Sequence, residues 1–317
     1  MENNMSTQQS VQQTKVSIRK GLKVIPNHKE IEYLKKKDKD FKTGEYTITG
    51  LYSITRIKLL RNDKNKFSEE VSNLKQILIN YGSNAVFTPV ISRKAINHET
   101  NEIFVKLQKS AGLKRITIIE KDINQSSEDM EKYFNKYISK EGKDNCFFLL
   151  DTSMSGAFLL SEKLSKLNSM NVKEIGLHFA GYWKYRDNLI QVLLTDNKPN
   201  ILFCGIWEKV ERTPLPVIIS MLGVNKVSCG YKWGGKPKVD KPLNRLDEVR
   251  IAYETLNVTE TNSLKKSINV ESNDELYSYL RAEAYEKNNR IIERLSNLED
   301  RKLIEELRTK NILNFFS

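Results

Sequence analysis

Four apolar segments recur at nearly even intervals in the second half of the chain, and this pacing constrains the fold more than any other feature. CFFLLD begins at Cys146, EIGLHF at Glu174, NILFCG at Asn200 and NKVSCG at Asn225, so the spacings are 28, 26 and 25 residues. An interval of that size holds one strand, one helix and two short loops. Amphipathic helical patterns fill the gaps. Leu159, Leu160, Leu164, Leu167 and Met170 form one stripe, and Leu189, Ile190, Val192 and Leu193 belong to a second. Val217, Ile218, Met221 and Leu222 belong to a third, with Pro214 and Pro216 at its first turn. Strand–helix units in series make parallel strands joined by crossover helices. Both faces of such strands are buried, which explains apolar runs without clean alternation.

Further runs lie upstream. Ala85 to Val90 (AVFTPV) and Arg115 to Glu120 (RITIIE) read as strands, and so does Glu45 to Ile54 (EYTITGLYSI), which is rich in β-branched and aromatic residues and carries Gly50. Phe67 to Ile79 reads as a helix with Val71, Leu74, Ile77 and Leu78 on one side. Six clear strands plus Glu45–Ile54 fall one short of a barrel's eight. Both a (β/α) barrel and an open doubly wound sheet fit this order. No G-x-G-x-x-G or Walker sequence follows any strand, which counts against a nucleotide-binding open sheet. The expected fold is therefore α/β, a (β/α)8 TIM-type barrel with a charged N-terminal extension and a C-terminal helical tail. The expected boundaries are a disordered tail over 1–15, an extension over 16–80 on or beside the barrel, the barrel over 81–235, and a linker with helices over 236–317. Ser272–Glu275 and Ser296–Glu299 carry capping-box spacing and open the two tail helices.

Composition narrows the class. The 317 residues include 52 Lys+Arg against 40 Asp+Glu, a formal charge of +12. Such an excess fits a polyanionic partner, yet Lys and Asn are abundant together throughout, so charge alone points weakly. Cys146, Cys204 and Cys229 each sit in an apolar run and read as buried, reduced thiols. No stretch approaches a membrane span, and the N-terminus lacks the order of a signal peptide, so a soluble cytoplasmic protein is expected. The three cysteines and His28, His98 and His178 are scattered without metal-ligand spacing, so neither metal nor cofactor is expected.

In parallel α/β folds, sites gather at the carboxyl ends of strands. That rule nominates Thr88 and Ser92, Glu120, Asp151 with Thr152 to Gly156, His178 to Tyr182, Cys204 to Glu208, and Ser228 to Trp233. Asp151 suits a general base, a nucleophile or a helix N-cap. Ser155 and Gly156 offer a hydroxyl and backbone N–H groups to an anion. His178 suits a base or a buried structural residue. Tyr182 to Arg186 sets aromatics beside Lys184 and Arg186, a pattern for base stacking with phosphate contacts or for interfacial packing. Gly230, Tyr231, Lys232 and Trp233, followed by Lys236, form the densest such group, and glycine there lets backbone approach a ligand.

From about Asp144 onward the chain resembles the tRNA-guanine transglycosylase superfamily. The closest stretch is KPNILFCGIWEKVERTPLPVIISMLGVNKVSCGY, Lys198 to Tyr231. It is similar to the family's basic-Pro start, Leu-Phe-Gly strand end, Leu-Gly turn and the strand ending at the catalytic Asp. Gly205 matches the strand-end glycine and Gly223 the turn glycine. Ile175 to Gly181 resembles the strand before the glycine-rich base-binding turn, and CFFLLDTSMSG the strand before it. The resemblance implies base exchange at a glycosidic bond in tRNA or DNA, with a 7-deazaguanine-type base and nucleic acid as partners. It implies catalytic work at Asp151 and Ser228 and base binding by Ser155, Gly156, His178, Gly181, Gly205, Gly230 and Tyr231. Lys184, Arg186, Lys232, Trp233 and Lys236 would hold nucleic acid. A homodimer, or a heterodimer in which this chain is an inactive binding subunit, follows as the alternative. Ser228 stands where the family has its nucleophilic Asp, and the family's Cys-x-Cys-x-x-Cys…His zinc set is missing.

Overall fold

The computed structural model describes residues 23–91, 95–122, 124–151, 157–178, 195, 197–206 and 224–229, together with Asn269, Tyr285, Glu286, Asn289 and Glu293. In chain order the elements are β1 (Lys23–Val24), α1 (His28–Lys37), β2 (Tyr46–Ile48), β3 (Leu51–Tyr52), α2 (Ile54–Asn62), α3 (Lys64–Tyr81), β4 (Ala85–Phe87) and β5 (Val90–Ile91). They continue with α4 (His98–Ala111), β6 (Ile116–Ile119), α5 (Ser127–Glu141), β7 (Cys146–Asp151), α6 (Ala157–Ser169), β8 (Glu174–His178), β9 (Asn200–Ile206) and β10 (Lys226–Cys229).

Among the described residues every strand pairing is parallel. One sheet runs β1-β10-β9-β8-β7-β6, and two short ladders pair β2 with β4 and β3 with β5. The ends of the sheet meet the short ladders at two seams. At the first, the Thr47 N–H donates to the Pro26 carbonyl at 3.0 Å, and Asn27 and Thr47 form a parallel bridge. At the second, α4 wedges between β4 and β6, and its amide side chains replace the ladder. Thr117 N–H donates to Gln108 Oε1 at 2.7 Å, and Gln108 Nε2 donates to the Thr117 carbonyl at 2.9 Å. Asn101 Oδ1 accepts from the Ile119 N–H at 2.9 Å, and Thr117 Oγ1 reaches across to the Phe87 carbonyl at 2.6 Å. The ring is thereby closed into a (β/α)8 barrel of eight strand positions, two of which (β2/β3 and β4/β5) are each interrupted. Gly50 and Pro89 mark those interruptions, as expected of residues that weaken a ladder or cannot donate to it.

Residues 23–80, expected on or beside the barrel, supply the first two strand positions of the ring, and β1 is the strand missing from the expected count. With only two residues in the ladder, β1 carries no periodic signal. Its exit is nonetheless encoded: Asn27 and Glu30 form a capping box opening α1, with Asn27 N–H donating to Glu30 Oε2 at 2.8 Å.

Helices coat the outside. Leu160, Leu164 and Leu167 of α6 are fully buried, each contributing roughly 1.5–3 kcal/mol of hydrophobic stabilisation. Phe134 of α5 stacks on Phe148 with ring centroids 4.2 Å apart. Helix α4 ends at Gly112, whose φ of 87° is the left-handed conformation that glycine adopts without strain. From the tail, Tyr285 packs edge-on against Phe41, and Glu286 pairs with Lys37 at 2.5 Å. The remaining tail helix positions and the helical stripes expected after β8 and β9 lie outside the described residues. Among the described residues no helix is long and apolar enough to cross a membrane.

Candidate functional site

Contacts between strands that are not neighbours fix which side chains face the barrel lumen, because such contacts can form only through it. At the N-terminal end, Lys226 of β10 donates to Glu45 before β2 at 2.6 Å, skipping β1. Lys226 also pairs with Glu174 of β8 at 2.6 Å, skipping β9, and Arg115 before β6 pairs with Glu174 at 2.6 Å, skipping β7. The Arg115 guanidinium lies over the Phe147 ring, 4.7 Å from its centroid. Two cations and two anions thus plug the bottom of the barrel. Burial alone would raise the Glu174 carboxyl, but hydrogen bonds from Lys226 and Arg115 reverse this and hold it below the ordinary range. Burial works against the Lys226 ammonium, and its bonds to Glu174 and Glu45 raise it nonetheless.

One layer up, Thr47 Oγ1 and Ser228 Oγ share a hydrogen bond of 2.6 Å, again across β1. Above Thr47, the lumen-facing Thr49 accepts from Asn27 Nδ2 at 2.6 Å and bonds Thr88 Oγ1 at 3.1 Å. All five of these polar residues are buried. The opposite wall is apolar: Phe147 and Leu149 fill the space over Gly176.

Register draws the nominated strand ends into one row. Ser228 pairs with Cys204, Cys204 with His178, and His178 with Asp151, across four adjacent parallel strands. A β-bulge between Ser228 and Cys229 then shifts the pairing, so Cys229 lies opposite Ile206. In a parallel sheet, partners along such a row share a face, so His178, Cys204 and Ser228 line the lumen near its C-terminal mouth. His178 is buried there. Cys204 is also buried, its Sγ donating weakly to the Leu177 carbonyl at 3.5 Å, an arrangement of a packed thiol. Gly205 follows in β9, one position past the row.

Other nominated residues fall elsewhere. Glu120 does not face the lumen: its Oε2 accepts from Lys163 Nζ of α6 at 2.7 Å in the layer between strands and helices, and both side chains are fully buried. Ser92, Ser155, Gly156, Gly181, Lys184, Arg186, Gly230, Tyr231, Lys232, Trp233 and Lys236 lie outside the described residues. Asn27, Thr47 and Thr49 belong to the lumen although the sequence reading did not nominate them. The signal was the alternation Thr47-Ile48-Thr49 in an otherwise apolar strand, with the hydroxyls on one face. A cleft of about 680 Å³ lined by Lys23, Lys42, Glu45, Asn84 and Tyr285 opens at the opposite, N-terminal end, among the residues that begin the strands rather than those that end them.

No protein-family model matches the chain, and no curated protein matches it. Solved structures with a similar course include the tryptophan synthase α-subunit of Pyrococcus furiosus, at 11% identity and a TM-score of 0.45, covering 85% of this chain and 98% of that one. They also include the YdjI aldolase of Escherichia coli K12, at 8% identity and a TM-score of 0.46 over 85% of this chain and 90% of that one. A monomeric dihydrodipicolinate synthase variant matches at 10% identity and a TM-score of 0.40 over 89% and 84%. At these values the likeness carries no chemistry to this chain. The expected kinship with tRNA-guanine transglycosylases is not upheld. The similar structures are of the kinds just named, no family model supports the kinship, and Ser228 is a hydroxyl bonded to Thr47 where a nucleophilic carboxylate was required. The stretch Lys198–Tyr231 resembled that family because any barrel repeats strand, glycine turn and helix at this pace.

Proposed function

We propose that this chain is a barrel enzyme acting on a small polar molecule at the C-terminal mouth of its lumen, with His178 as the acid–base group. The single observation that carries the reading is the register row that sets Asp151, His178, Cys204 and Ser228 side by side at the strand ends. That end of a parallel barrel is where loops converge and where chemistry is sited. The opposite end of the lumen is closed by the Glu45–Lys226–Glu174–Arg115 cluster, so a substrate approaches from the mouth. An imidazole moves protons near neutral pH, which suits it to proton abstraction or donation at a substrate carbon or oxygen. Asp151 is the register neighbour of His178 in the row. The threonine and serine hydroxyls supply neutral hydrogen bonds, which favour an uncharged or singly charged substrate over a polyanion.

The test is a turnover screen of the wild-type protein against small aldehydes, ketones, oxo acids and hydroxy acids, followed by His178→Gln and Asp151→Asn on any substrate found. His178→Gln is expected to lower kcat by about 10²–10⁴-fold, the usual worth of a positioned acid–base group, with the melting temperature retained. Wild-type rates in His178→Gln would remove the histidine from the chemistry and the reading with it.

A further inference from the structure

The hydroxyl wall of the lumen carries more hydrogens than it can use internally. Asn27 offers Thr49 a hydrogen and no acceptor. Its Oδ1 caps α1 by accepting from the Lys29 N–H at 3.0 Å, so its Nδ2 is the atom turned to Thr49, and an amide nitrogen can only donate. Thr49 Oγ1 therefore accepts from Asn27, and one hydrogen lies between Thr49 Oγ1 and Thr88 Oγ1. The second hydrogen of that pair is then left over, and Thr88 Oγ1 has no other hydrogen-bond partner among the described residues. The Thr47–Ser228 pair repeats the arithmetic: one hydrogen lies between the two oxygens and the second remains. Thr47 and Thr88 are both buried, as is Ser228. A buried donor without an acceptor is costly in a finished core, by about 1–3 kcal/mol, and natural cores leave few of them.

We infer that Thr88 and Ser228 with Thr47 are ligand-binding donors, poised for an acceptor oxygen, a carbonyl or carboxylate, entering the lumen between them. This rests on the reading of the mouth as a substrate site and names the polarity of what it takes. Two hydrogens of the wall are left without an acceptor, one from each hydroxyl pair, and an entering oxygen supplies it. Asn27 is a positioning residue: its Nδ2 donates to Thr49 without touching the ligand. Asn27→Asp keeps the helix cap but offers an acceptor to Thr49. Thr49 then donates towards residue 27, Thr88 donates to Thr49, and no hydrogen of that pair is left for the lumen. The one substitution removes the spare donor from that half of the wall.

The experiment is a nuclear magnetic resonance titration of the full chain, with threonine methyl groups and histidine ring carbons labelled, using acetone, acetate and methylammonium as probes. Acetone and acetate distinguish a neutral carbonyl from a carboxylate. Expected results are saturable shifts of the Thr88 methyl and His178 ring with acetate or acetone, with methylammonium as the control that binds through hydroxyl lone pairs instead. Thr88→Val and Ser228→Ala are each expected to weaken that binding about tenfold, one hydrogen bond's worth, while Thr88→Ser keeps it. Asn27→Asp is expected to weaken the oxygen probes about as much as Thr88→Val does. If His178 still responds to the oxygen probes but Thr88→Val and Ser228→Ala bind as the wild type does, the donor assignment is overturned and the mouth reading stands. If no probe shifts any resonance of the row, both are overturned. Should Thr88→Val not fold, Ser228→Ala and Thr88→Ser decide the matter alone.

Discussion

Gly176 shows how tightly single residues are specified in this lumen. A Cβ placed there would lie 2.8 Å from Leu149 Cδ1 and 2.8 Å from Phe147 Cε1, closer than carbon atoms approach in folded proteins. Phe147 cannot withdraw, since the Arg115 guanidinium covers its ring. Gly176→Ala is therefore expected to destabilise the fold by about 1–3 kcal/mol through overpacking, read from urea unfolding at neutral pH. A variant as stable as the wild type would mean that the apolar wall yields more easily than the contacts imply. Cys146 illustrates the opposite case, a residue with chemistry in principle and none in practice. Burial, assisted by the charge of Glu141, pushes its thiol up to about 11. It stays protonated at neutral pH and acts as a small apolar filler. The Cys204 thiol is likewise buried and donates to the Leu177 carbonyl, so the proposed function gives the acid–base role to its register neighbour His178.

At the scale of elements, the strands after residue 145 were legible because each is a buried apolar run and the runs keep time. CFFLLD and EIGLHF became β7 (Cys146–Asp151) and β8 (Glu174–His178) almost residue for residue. The early strands were harder. EYTITGLYSI was visible as one strand but is two short ones on either side of Gly50, and β1 has only two paired residues. Helix α4 does work that no periodicity announces. Gln108 and Asn101 sit on its buried face, where a pattern search expects aliphatic side chains, and they replace the missing ladder between β4 and β6. Gln108→Leu conserves size but leaves the Thr117 N–H and carbonyl without partners in a dry seam. The expected cost is about 2–4 kcal/mol, one or two orphaned backbone groups, with early amide exchange at Thr117 and Ile119. Unfolding within 0.5 kcal/mol of the wild type would show that Thr117 Oγ1 on Phe87 suffices to hold the seam. The likeness to transglycosylases failed at this same scale. Glycine turns and apolar strands are shared by barrels of every chemistry, and the residues that distinguish one chemistry from another are few and sit at the strand ends.

The molecule as a whole is a barrel with two unlike ends. Its N-terminal end is closed by Arg115, Glu174, Lys226 and Glu45, and its C-terminal end is lined by hydroxyls, an amide and an imidazole. The plug ties strands on opposite sides of the lumen, so its titration reports on the integrity of the ring. Glu174 is held below the ordinary carboxyl value, so its contribution is present above the unfolded-state value near 4.3 and is lost as pH falls through the lowered one. Lys226 is held above the ordinary ammonium value, so its contribution is present below about 10.4 and lost as pH rises through the raised one. For this cluster, stability should be level between about pH 5 and 10 and fall on either side. Glu174→Gln removes the anion that joins Arg115 to Lys226 but keeps its shape. At pH 7 the variant is expected to be less stable by about 2 kcal/mol, a buried-pair cost discounted for the partial exposure of Lys226 and Arg115. As pH falls through the lowered Glu174 value the wild-type carboxyl is itself protonated and resembles the amide, so the two unfolding curves should converge towards acid. The check is urea unfolding of both proteins from pH 3 to 9. A difference that stays constant across that range would show that Glu174 acts through packing, and that the charge cluster does not bind the two sides of the barrel together.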